Sequence, residues 1–116
     1  MTKLFDRVCI GFLALGTLGH LMGTFKFTEP GTGLFAWSMS GVLAAALLVA
    51  LNVLRHRREK DKTIASLALA GGVGWIGVVL LFGQSVGNLA DPRVLMHGLT
   101  TLILCGFSLQ RVLRSN

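Results

Sequence analysis

Two histidines are the residues best placed to do chemistry. His20 and His97 each lie inside a long apolar run, where an ionisable side chain is costly and marks a candidate site. His20 shares a helical face with Gly16, Thr17, Gly23 and Thr24. His97 shares one with Thr100 and Thr101, continued by Cys105 and Ser108. Both faces are small or polar, so both imidazoles are expected to point into protein rather than lipid. Two opposed neutral imidazoles can ligate a haem iron from either side. Gly16, Gly23 and Gly98 would leave room for a flat macrocycle, and Lys26 and Arg93 are the cations nearest to its propionates. The plainer expectation is that each imidazole hydrogen-bonds a neighbouring Thr, Ser or backbone carbonyl. A metal ion and a quinone or lipid site are lesser alternatives for the same pair.

Other chemistry is poorly represented. No Asp, Glu, Lys or Arg falls deep in an apolar run, and His56 stands in a basic segment expected to be solvated. There is no acidic pair, GxSxG elbow, HExxH or phosphate loop. Ser38 and Ser40 near His20 lack a carboxylate to orient the base. Cys9 and Cys105 sit in apolar stretches without a CxxC partner, which argues against a disulfide framework or a zinc site. No enzyme is expected.

The elements that carry these residues follow from hydropathy. Hydrophobic residues make up 53% of the 116 and charged residues 14%, where a soluble domain carries roughly 25% charge. A hydrocarbon core needs about 20 apolar residues of helix, and four segments qualify. They run from about Arg7 to Phe25, Gly33 to Leu54, Thr63 to Ser85 and Val94 to Leu113. The first is too long for a cleaved signal peptide, and no soluble domain follows it. Glu29-Pro30-Gly31 marks a turn with Thr32 as the next cap, and Asp91-Pro92 opens the fourth helix. The Arg55–Lys62 stretch is expected to be a solvated loop. Short connections make successive helices antiparallel neighbours. Counting inwards from the side of the first and third loops then puts His20 and His97 in the same leaflet, each roughly 5–8 Å below the boundary. A faint parallel repeat links the Leu13–Gly23 and Leu67–Gly77 stretches.

Charge sets the orientation. Nine of the 11 Lys and Arg residues fall on the side of the termini and the middle loop, leaving only Lys26 and Arg93 opposite. The positive-inside rule places the nine in the cytoplasm. The same clustering between apolar runs excludes nucleic acid as the reason for the +6 net charge. The basic loop also offers a surface for anionic headgroups or an acidic partner.

Helix association in lipid depends on small residues that let backbones approach. Gly16, Gly19 and Gly23 on the first helix and Ala70, Gly74 and Gly77 on the third are the candidate packing positions, with Ser66 extending the latter stripe. Gly83 and Gly87 repeat the GxxxG spacing. Trp37 is placed for the interfacial belt, and Trp75, nearer mid-membrane, is expected to find a partner for its indole N–H.

Length and helix count are similar to those of small multidrug resistance transporters. That family carries a glutamate in its first helix, whereas this first helix has no acid past Asp6. The resemblance therefore implies no family membership. The expected fold is all-α: one integral membrane domain over residues 1–116, a four-helix transmembrane bundle running up-down-up-down, with both termini cytoplasmic in a bacterial-type inner membrane. The expected function is that of a small non-enzymatic accessory or scaffold subunit of a larger inner-membrane complex. Its expected partners are the lipid bilayer and other membrane subunits or further copies of itself. The alternative is a b-type haem electron carrier with His20 and His97 as axial ligands, and a small transporter is third.

Overall fold

The computed structural model describes residues 1–114. It contains four α-helices: α1 (Thr2–Phe27), α2 (Gly33–Arg57), α3 (Lys62–Ser85) and α4 (Pro92–Leu113). All four are long and apolar enough to cross a membrane. The bundle is 49 Å long, somewhat more than the roughly 40–45 Å of a bilayer with its headgroups.

The helix starts follow local chemistry. Thr32 Oγ1 accepts from the Phe35 amide at 3.2 Å, and Asp91 Oδ1 accepts from the Arg93 amide at 2.9 Å, with Pro92 in the first turn. Asp61 does the same for α3, accepting from the Ile64 amide. Each cap satisfies a donor that the first turn leaves without an intrahelical acceptor. Beyond the last residue of α3, Gly87, with a φ of +70°, reverses the chain. The Asn88 amide then donates to the Gly83 carbonyl at 2.9 Å, a Schellman ending that favours glycine at that position. Gly87 thus terminates α3 rather than packing a helix.

Two boundaries differ from the hydropathy reading. α1 begins at Thr2, not near Arg7, and α2 continues through Arg55 and His56 to Arg57. Lipid excludes charge, but it does not end a helix. Backbone hydrogen bonding carries on past the apolar run, and the Arg58 amide still reaches the Leu54 carbonyl at 2.8 Å. The expected loop therefore shrinks to Arg58–Asp61.

Each helix packs on the next, and α4 closes on α1. Neighbours run antiparallel: Phe25 stacks edge-on against Phe35 at the α1–α2 turn, while Phe5 meets Phe107 at the opposite end. The core is a narrow column that includes Cys9, Ile10, Leu13, Ala45, Leu48, Trp75, Val79, Val94 and Leu104. Outside it, Leu15, Leu47, Leu81 and Leu102, one on each helix, are all more than half exposed. A large apolar surface spread round the whole circumference is what lipid contact requires.

The helices approach most closely at only some of the glycines. A Cβ on Gly16 would stand 2.9 Å from His97 Nε2, and one on Gly83 2.9 Å from Leu89. Gly72 lies directly against the Cys105 sulfur. Gly19, Ala70, Gly74 and Gly77 are exposed on the outer surface; the three glycines among them meet nothing within 4 Å, and Gly23 meets only Phe27 of its own helix. Of the six expected packing positions, Gly16 alone brings two helices together. Four-residue spacing defines a stripe on a helix but not the direction in which the stripe faces.

Candidate functional site

The most heavily connected polar cluster lies at the basic end, around Asp6. This carboxylate is 2% exposed and faces Arg55, which is fully buried. Arg55 Nη1 donates to Asp6 Oδ2 at 3.2 Å, and Nη2 donates to Oδ1. Arg55 Nε donates to Asn52 Oδ1 at 3.2 Å, and Asn52 in turn donates to the Leu48 carbonyl. Phe107 covers the guanidinium at 5.9 Å, and Arg111 donates to the Arg55 carbonyl at 2.9 Å. The network therefore ties α1, α2 and α4 together.

His56 extends it. Arg7 Nε donates to His56 Nε2 at 2.9 Å, so Nε2 carries the lone pair. The proton is then on Nδ1, which donates to Asp6 Oδ2 at 2.9 Å. The donations converge on Asp6, from Arg55 on one side and from Arg7 through His56 on the other, with every member's role fixed by its neighbour. Nearby, Lys3 pairs with Glu59 at 2.7 Å and holds that carboxyl below its ordinary range by hydrogen bonding and charge.

This cluster corrects two sequence expectations. A buried acid and a buried arginine do sit inside helices, and the His56 side chain, at 12% exposure, is not solvated. Each charge is tolerated because the other accompanies it, hydrogen-bonded on both sides. One signal was available beforehand: Asn52, a polar residue in an apolar run, lies three residues before Arg55 on the same helical face.

His20 and His97 lie together at the other end of the bundle, away from Asp6. Both are partly buried and inward-facing. His20 Nε2 donates to the Ser38 carbonyl at 3.2 Å. Thr24 donates to the His20 carbonyl at 2.8 Å and accepts from the Ser38 hydroxyl at 2.6 Å. His97 is about one turn deeper, with its ε edge against the Gly16 backbone and its ring 5.7 Å from that of Trp75. Trp75 also reaches the position beside Gly41 that His20 Nε2 faces.

Two axial imidazoles must each offer a free nitrogen to one iron across a flat macrocycle. Here each ε edge is turned against another helix's backbone, and the Trp75 indole packs against the His97 ring and reaches towards His20. These residues do not fit a tetrapyrrole in this arrangement. Among the described residues no group of three His, Cys, Asp or Glu is placed to hold a metal ion. Trp75 Nε1, His97 Nδ1 and Thr101 Oγ1 are buried without a hydrogen-bond partner among the described residues. The expected acceptor for the Trp75 N–H is thus not found. Helix carbonyls at that level serve their own amides, and His20 and His97 are directed elsewhere.

Comparison with known protein families, curated proteins and solved structures returns no match for this chain.

Proposed function

We propose that this protein is a small non-enzymatic membrane subunit that docks laterally against another transmembrane helix through the outer face of α3. One observation carries the reading: Ser66, Ala70, Gly74 and Gly77 form a small-residue stripe that is exposed along its length. At 3.6 residues per turn the stripe lies opposite the buried face of Ala65, Ala68, Gly72, Trp75 and Val79. The intrachain packing leaves it open, and small-xxx-small faces are those along which helices in lipid approach each other. The basic end, holding nine of the 11 Lys and Arg residues, is the cytoplasmic end in this reading, in a bacterial-type inner membrane.

The test compares two glycines two residues apart, on opposite faces of α3. Gly74→Leu should leave the melting temperature of the detergent-solubilised protein unchanged and abolish its lateral association, read by in-membrane crosslinking. Gly72→Leu, on the buried face, should unfold the bundle. Undiminished crosslinking of Gly74→Leu and of a Gly74→Leu/Gly77→Leu double variant would remove the basis for α3 as the docking face.

A further inference from the structure

We propose that the groove between α1 and α2 at the basic end binds the phosphate of an anionic phospholipid headgroup. The groove has a volume of about 290 Å³ and is lined by Arg7, Ile10, Val53, His56 and Arg57. Its two guanidinium groups come from different helices and face one opening. Arg7 is fixed by its Nε–H bond to His56, and His56 is fixed by Asp6. That leaves the two terminal amino groups of Arg7 for a ligand. Arg57 makes no ion pair among the described residues. Two arginines held this way suit an oxyanion, which they bind through paired charge-assisted hydrogen bonds.

No acid competes for the groove. Of the three acids at this end, Asp6 is committed to Arg55, Glu59 to Lys3 and Asp61 to the cap of α3. Nine Lys and Arg against these three acids leave the whole net charge of +6 at this end. The apolar lining identifies the anion as part of a lipid. Ile10 lies one turn from Arg7 along α1, and Val53 one turn from Arg57 along α2. Both turns lead towards the bundle centre. The groove is therefore cationic at headgroup depth and apolar at acyl depth, as a phospholipid is and a free phosphate ion is not.

The test is native mass spectrometry of the full chain in mild detergent, titrated with phosphatidylglycerol, phosphatidylcholine, inorganic phosphate or a polyglutamate peptide. A retained phosphatidylglycerol adduct is expected, not displaced by phosphate or by the peptide at equal concentration. Removing a charge that only contributes to the surface field weakens lipid binding about 5-fold. Removing one that hydrogen-bonds the phosphate weakens it about 10-fold or more. Arg7→Gln and Arg57→Gln should each show the larger loss and Arg58→Gln the smaller one. If Arg7→Gln also lowers the melting temperature through His56, Arg57→Gln decides alone, since it touches nothing in the network. Equal losses for Arg57→Gln and Arg58→Gln would overturn the proposal in favour of diffuse charge. Displacement by phosphate or polyglutamate, or equal binding of phosphatidylcholine, would overturn the assignment to an anionic lipid.

Discussion

Asp6→Asn should be among the most damaging single substitutions in the chain, although it replaces one atom. Asp6 accepts from three N–H groups: two on Arg55 and Nδ1–H of His56. An amide retains one oxygen but turns an NH2 towards a donor that previously met a lone pair. It also removes the counter-charge of a guanidinium that is fully buried. Breaking a buried pair from one side costs about 3–5 kcal/mol, mostly from the charge left behind. That is a large fraction of the roughly 5–15 kcal/mol that holds a typical domain together. The double variant Asp6→Leu/Arg55→Met removes both charges and keeps an apolar filling, so it should recover most of the loss. Unfolding followed by circular dichroism while sodium dodecyl sulfate is titrated into mild detergent reads both. A loss below about 1 kcal/mol for Asp6→Asn would place the pair in water, as exposed pairs behave. A double variant as unstable as the single would mean that packing, not an unpaired charge, sets the cost.

Four further outcomes are expected. Gly16→Ala places a methyl 2.9 Å from His97 Nε2 and should cost about 1–3 kcal/mol in the same titration. The loss should shrink in a His97→Ala background, and an unchanged loss would refute the contact. Thr101→Val replaces a buried hydroxyl with no partner among the described residues, so it should be neutral or stabilising; Ser108→Ala, which loses a 3.0 Å bond to the Leu104 carbonyl, should cost about 1 kcal/mol. Destabilisation by Thr101→Val would show that the hydroxyl is bonded. The Asp91 carboxyl is held at about 2, below its ordinary 3.8, by hydrogen bonds from Arg93. Its contribution is complete above 3.8 and is lost as pH falls through 2, so the gap in melting temperature between wild type and Asp91→Asn should close between pH 6 and pH 2. A gap independent of pH would contradict this. Finally, single cysteines at Arg58 and Ala90, in a background without Cys9 and Cys105, should react with an impermeant thiol reagent from outside intact cells only at position 90. Labelling at 58 would invert the orientation.

Much of the fold was legible because lipid imposes a simple rule. Four apolar runs of spanning length, two strong caps and short connections leave few alternatives to an antiparallel bundle. That His20 and His97 lie towards the same end of the bundle followed from counting along those helices, although His97 sits about one turn deeper than the equal depth the count gave. Which face of each helix turns inward was harder to read. In a soluble bundle the core face is the apolar one, but here exposed Leu81 and buried Val79 are equally apolar. Ser66, Ala70 and Gly74 therefore looked the same as an inward stripe, although the small residues that α3 turns inward are Ala68 and Gly72, at the same four-residue spacing.

The polar cluster escaped notice for a related reason. Asp6 and Arg55 are 49 residues apart, and each looks like an ordinary flanking charge beside its own span. Only their meeting across two antiparallel helices changes what they are. Charge near a membrane boundary can be placed at little cost in water or, once paired, inside the protein, and sequence does not separate the two. Asn52 does, because a side chain with both a donor and an acceptor gains nothing from an apolar run unless something polar lies opposite. The opposite end lacks such closure: Trp75, His97 and Thr101 each keep a buried polar atom without a partner among the described residues. The bundle is thus pinned where its charge is concentrated, by a buried ion pair and hydrogen bonds that join three helices. It is less constrained at the histidine end, where buried groups at about 1–3 kcal/mol each would gain from any rearrangement that lets them pair. A change of helix packing on docking should accordingly be expressed around His97 and Trp75, with the Asp6–Arg55 end held fixed.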